Sequence, residues 1–99
     1  MSAVYVLVRR DLPAKWQAVQ ACHAVLEVGR DFPPSGTPSM VLLGVDNQEQ
    51  LQAWNSYLQE EGIRTRLFDE SFKHTGITAL ATEPLGSSAK SKFSELSLL

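Results

Sequence analysis

The sequence predicts an α/β fold: a mixed sheet of about four strands, in the order β-α-β-α-β-β-α, with helices packed on its faces. Three observations carry this. Four short runs of Val, Ile, Leu and other apolar residues punctuate the chain. Two of the stretches between them repeat apolar residues at helical spacing. The 99 residues are 43% apolar and 20% charged, ordinary for a globular chain and enough for one domain with one core.

The first run, AVYVLVRR over residues 3–10, is β-branched, aromatic and apolar on both alternating sets, which suits a strand buried on both faces. Asp11 and Pro13 predict the start of a helix over residues 14–28, with Asp11 as cap, Pro13 in the first turn and Gly29 as its stop. RDFPPSGTPS, residues 30–39, holds three prolines and a glycine and reads as loop. A second strand is expected over residues 40–45, and a helix capped by Asp46 or Asn47 runs to about Glu61, where Gly62 ends it. Leu51, Trp54, Tyr57 and Leu58 form its apolar stripe. Residues 63–68 and 77–82 are the third and fourth strands, separated by a polar loop at 69–75. Residues 84–86 turn the chain into a short C-terminal helix over 88–95.

Binding sites on such sheets gather at the carboxyl ends of strands. That rim is expected to hold residues 9–15 and 69–75. On the first helix, Ala18, Ala21, Cys22, Val25 and Val28 fall on one arc, read as the buried side, with Cys22 in the core. Trp16, Gln20, His23 and Glu27 fall on the opposite arc. This polar arc is either a wetted face or the wall of a cleft, with Lys15 at its mouth. Adjacent helical positions point about 100° apart, so Cys22 and His23 do not form a nucleophilic pair by themselves.

Composition excludes several classes. Cys22 is the single cysteine, so no internal disulfide or cysteine metal cluster forms, and a reducing, cytoplasmic setting fits. No apolar run approaches the ~18 residues of a membrane span, and the first dozen residues lack the layout of a secretion signal. The two histidines have no metal-ligand spacing and there is no phosphate-binding glycine loop, so neither a metal nor a cofactor is expected. A net charge of −2 argues against gripping nucleic acid by bulk charge. It leaves a local basic site at Arg9, Arg10, Lys15 and Lys73, with Arg64 and Arg66 as possible neighbours.

The string LVRRDLPAKWQAVQACHAVLE resembles the opening of the type II peptidyl-tRNA hydrolase family. There a strand, an Arg-Asp-Leu-like turn and a lysine precede a helix carrying Gln-x-x-His-Ala. Gln20, His23 and Ala24 match that pattern, and Asp11 and Leu12 match the turn. MVLLGVDNQEQL, IRTRLFDE, GITALATEPL and KFSELSLL are similar to the family's later strands, helix and Leu-rich tail, so the resemblance runs from Val4 to Leu99. The chain departs from the pattern in two places. The loop before the helix is shorter and keeps only Lys15 of two lysines. Residues 70–75 replace an Ala-Gly-Arg-Thr-Gln-like stretch, which marks a divergent branch.

The resemblance implies a mixed sheet flanked by helices, and an esterase that frees a peptide from the terminal ribose of tRNA. It carries catalytic roles onto Lys15, Gln20, His23, Asp69 and Thr78. Ester hydrolysis needs an activated water and a stabilised oxyanion. Asp69, working with His23, would orient the water. Lys15 would meet the oxyanion or the terminal phosphates, and Gln20 and Thr78 would fix the ester. His74 is a possible substitute base in the altered loop. The expected partner is peptidyl-tRNA or a related acylated tRNA end, with no membrane. A non-catalytic binding or dimerisation module, or an esterase for a smaller acyl ester, is the alternative. Trp16 and Trp54 permit a homodimer.

Overall fold

The computed structural model describes residues 2–70 and 75–99. It comprises β1 (Ser2–Arg9), α1 (Ala14–Asp31), β2 (Ser39–Val45), α2 (Gln48–Glu60), β3 (Thr65–Asp69), β4 (Ile77–Thr82), β5 (Leu85–Gly86) and a 3-10 helix (Ser87–Phe93). The α/β class and the mixed sheet are as expected, with a fifth, two-residue strand added where a turn was read. Strand order is β2-β1-β4-β3, with β5 beside the start of β1. β1 and β2 are parallel, from Ala3 against Ser39 to Arg9 against Val45. β4 runs antiparallel to both β1 and β3. The carboxyl ends of β1, β2 and β3 therefore share one rim with the start of β4.

Because β1 is central, its alternation feeds two separate clusters. Val4, Val6 and Val8 meet Ala21, Ala24 and Val28 of α1, together with Ala79 and Ala81 of β4. Tyr5 and Leu7 point the other way, among Leu43, Leu51, Leu58, Leu80 and Phe93. α1 thus lies on one face, and α2 with the 3-10 helix on the other. Where β1 and β4 part beyond Val6, the Tyr5 N–H donates to the buried Thr82 hydroxyl at 3.1 Å, which keeps the backbone satisfied.

Several expectations are corrected. Asp11 does not cap α1; Pro13 stands at the cap and no side chain bonds there. Asp11 instead accepts two hydrogen bonds, each 2.9 Å, from the Arg9 guanidinium, a charge-assisted pairing that outweighs a cap. Gly29 does not stop α1, which continues to Asp31 because Asp31 and Phe32 have their own anchors. Asp31 accepts from Arg66 at 2.7 Å, and the Phe32 ring lies under the guanidinium groups of Arg64 and Arg66. The C-terminal helix is a 3-10 helix ending at Phe93, not a helix reaching Glu95.

Ile63 belongs to the end of α2 and not to β3. The Gly62 N–H bonds the Gln59 carbonyl and the Ile63 N–H bonds the Leu58 carbonyl, with Gly62 at φ 77°, and Ile63 packs in the same cluster as Leu58. This is the double hydrogen bond of a Schellman stop with its apolar contact. Asn47, one of the two expected caps, accepts from the Gln50 N–H at 2.9 Å.

The buried side of α1 is also turned from the one expected. Gln20, Ala21, Ala24 and Val28 face the sheet, while Ala18 and Cys22 are exposed. The rotation follows from Thr78. Its hydroxyl lies on the sheet under α1 and draws Gln20 inward in place of an apolar residue. A satisfied polar pair has beaten the apolar pattern.

Candidate functional site

The rim is knitted together by backbone contacts before any chemistry is considered. Arg9, at the end of β1, donates from Nη1 to the carbonyls of Thr75 at 2.5 Å and Ile77 at 3.1 Å. Its other edge holds Asp11, whose carboxyl is lowered from its ordinary value by the hydrogen bond from Arg9, against the opposing effect of burial. Gln48, the first residue of α2, accepts the Ile77 N–H at 2.8 Å. Gly76 makes this possible: it sits at φ 75°, and a Cβ there would collide with the Gln48 side-chain oxygen. Gln48 was not singled out from the sequence, and a glutamine following a helix cap offers no signal for such a role.

Above this rim α1 crosses β3 and β4. The Thr78 hydroxyl and Gln20 Oε1 are 2.8 Å apart, and both side chains are sealed from water, at 0% and 2% exposure. Thr78 also reaches the Phe68 carbonyl at 3.4 Å. One turn along α1, the half-buried His23 ring stacks on Phe68, with centroids 4.4 Å apart and planes 7° from parallel. Asp69 follows Phe68 at the exposed end of β3, where the β3–β4 register shifts. Phe68 is the link the sequence did not reveal, since a stacking partner for His23 depends on which face of α1 turns inward.

Three of the expected residues, Gln20, His23 and Thr78, thus belong to one contiguous patch of α1, β4 and β3, whereas Asp69 pairs with Ile77, which packs in the α2-side cluster, and so stands on the rim beside that patch. The Thr78 hydroxyl donates to Gln20 Oε1, so that oxygen is engaged inside the fold. Lys15 is exposed and lies five residues before Gln20, so it leaves the helix about 140° away from it. Lys15 therefore points towards solvent while Gln20 points towards the sheet.

Of the basic residues expected to meet RNA, Arg9 and Arg10 are engaged internally. Arg10 donates to the Ser97 hydroxyl at 3.0 Å and to the Leu98 carbonyl at 2.8 Å. Its guanidinium lies over Gly44, where a Cβ would collide with it. Arg10 thereby latches the C-terminal tail along the β2 edge, where Leu98 bridges Leu43. Arg64 pairs with Glu83 and Arg66 with Asp31. Lys73 and His74 lie outside the described residues. Among the described residues, no group of three or more His, Cys, Asp or Glu is placed to hold a metal ion. No helix among them is long and apolar enough to cross a membrane.

No protein-family model matches the chain, and no curated protein matches it. A solved structure does: Atu0240 from Agrobacterium tumefaciens, described as a protein of unknown function. The likeness has a TM-score of 0.76 over 99% of this chain and 97% of that one, at 15% identity. Similarity at that identity concerns the fold alone.

Proposed function

We propose that this chain is a peptidyl-tRNA hydrolase-like esterase, cleaving the ester between a peptide, or another acyl group, and the terminal ribose of tRNA. This reading joins the sequence resemblance to one observation: Gln20–Thr78 and His23–Phe68 form a continuous patch, and Asp69 is the next residue of β3 after Phe68, on the adjoining rim. Asp69 takes a proton from the attacking water as its oxygen bonds to the ester carbon. The tetrahedral intermediate collapses by breaking the bond to the ribose oxygen, and the proton that Asp69 took from the water passes by way of His23, aligned on Phe68, to that oxygen. Lys15 meets the acceptor-end phosphates. Gln20 and Thr78 are positioning residues here, tying α1 to β4 and so setting the height of His23. The reaction needs no cofactor, and its setting is the cytoplasm, where peptidyl-tRNA arises.

A second reading, a non-catalytic binding or dimerisation module, is favoured by two observations. Gln20 and Thr78 are closed on each other, and α1 presents Val19 at 51% and Leu26 at 69% exposure. The two readings separate in one experiment. Purified protein is given peptidyl-tRNA, and both binding and peptide release are followed across a salt series. The esterase releases peptide, and Lys15→Ala lowers release and flattens the salt dependence of binding. Binding without release by folded protein, beside an active control enzyme, would leave the module reading in place. A stable dimer broken by Leu26→Glu would strengthen it.

A further inference from the structure

On the face opposite α1, the sheet is unevenly covered. α2 lies over β4, β1 and β3. Over the β1–β2 pair the cover comes from the chain after β5, and it does not close. A groove of about 660 Å³ remains, floored by Tyr5, Val41 and Leu43 and walled by Phe93, Leu96 and Leu98. It continues towards Ala3 and Leu85 as a second cleft that shares Tyr5, Val41 and Lys90. The wall is fixed by stacking. Tyr5 and Phe93 lie 4.1 Å apart with planes 9° from parallel, and Trp54 stacks on Phe93 at 5.7 Å.

The rim has a different chemistry from the floor. Ser87 and Ser91 place hydroxyls along it, while the Ser94 hydroxyl donates to the Ser91 carbonyl at 3.0 Å, and Lys90 is the one charged residue among the described residues lining either part. An apolar trough of this size with a few polar groups on one side is the usual form of a small-molecule site. A single ammonium at its mouth selects the sign of the ligand's head. We propose that this groove binds an amphiphile with an apolar tail and one anionic head, of the fatty-acid type: the tail lies on Tyr5, Val41 and Leu43, and the carboxylate meets Lys90 and the serine hydroxyls. The proposal does not depend on the esterase reading, since no residue lining the groove has a role in that reading.

Trp54 makes the test direct, because its ring rests on the groove wall. In a Trp16→Phe background Trp54 is the remaining tryptophan. Decanoate is titrated into that protein below micelle-forming concentrations, with acetate and decyltrimethylammonium in parallel, and Trp54 emission is read. Decanoate is expected to saturate the signal, acetate to leave it flat, and the cationic amphiphile to bind at least tenfold more weakly. Lys90→Glu, on the exposed rim, is expected to weaken decanoate at least tenfold while the urea midpoint stays put. Val41→Phe fills the trough and is expected to abolish the response. Equal binding of the two amphiphiles, decanoate binding indifferent to Lys90→Glu, or no response from folded protein would each overturn the proposal. So would sedimentation showing a dimer that Val41→Phe dissociates, because a second copy would then be the occupant.

Discussion

The two faces of the sheet are built from opposite materials, although one strand, β1, supplies both. Towards α1 it offers Val4, Val6 and Val8, and it meets Ala21, Ala24, Ala79 and Ala81. Small side chains let the helix lie close, and the space they leave admits the buried Gln20–Thr78 pair. Towards α2 it offers Tyr5 and Leu7, which meet leucines and the Phe93–Trp54 stack. That face is thick over β4 and open over β2. The close face therefore carries polar groups that need exact placement, and the thick face carries most of the buried apolar bulk together with the groove.

Truncation should hurt the thick face most. Leu7→Ala removes a side chain with 0% exposure and is expected to lower stability by about 2–5 kcal/mol, read as a fall in the urea midpoint. On the close face enlargement is the damaging change. Ala24→Leu, at a fully buried position against β1 and β4, is expected to cost about 1–3 kcal/mol through overpacking. If Ala24→Leu proved neutral, the claim of close packing under α1 would fail.

The polar pair sharpens the contrast. Gln20→Leu takes away the 2.8 Å acceptor of the Thr78 hydroxyl, leaves it only the Phe68 carbonyl at 3.4 Å, and is expected to cost about 0.5–1.5 kcal/mol. Thr78→Val added to it should recover much of that loss, because both partners are then apolar. Independent, additive losses in the double variant would show that the two groups do not depend on each other.

Acid provides a milder probe at the end of α1. The Asp31 carboxyl is held at about 2 by the hydrogen bond from Arg30, then by that from Arg66, against an ordinary value of 3.8. A depressed folded value gives stability that is present above the unfolded value. That stability is lost as pH falls from about 4 through about 2. Asp31→Asn is expected to flatten the decline of the thermal midpoint across that window and to leave its slope at neutral pH unchanged. The smallest effect is expected at Gly29, inside α1 with open space around a would-be Cβ and no positive φ. Gly29→Ala should raise stability by about 0.5–1 kcal/mol, seen as a slightly higher midpoint.

The elements that were legible in the sequence are those whose pattern is local. β1 announces itself by an uninterrupted apolar run, α2 by its Asn47 cap and the Leu51–Leu58 spacing, and Gly62 by the stop it makes possible. What was not legible depends on partners far along the chain. The inward face of α1 is set by Thr78, 58 positions away, and the length of α1 by Arg66, 35 positions beyond Asp31. Asp11 and Arg10 carry side chains suited to a cap and to a phosphate contact. Only the fold reveals that Arg9 and the C-terminal tail hold them. The apolar arc predicts Cys22 in the core, and it is exposed because the buried face is centred on Gln20 and Ala24, so that Ala21 and Val28 of that arc face the sheet and Cys22 does not.

The proposed esterase would do its chemistry at the rim around Asp69 and leave the groove over the β1–β2 pair out of it. The most direct measurement is peptide release from peptidyl-tRNA by the wild type, Asp69→Asn and Lys90→Glu, with folding of each checked by its urea midpoint. The expected result is turnover by the wild type, at least a hundredfold loss in Asp69→Asn, and unchanged turnover in Lys90→Glu. No release by folded wild type beside an active control, or a loss in Lys90→Glu as large as in Asp69→Asn, would contradict it.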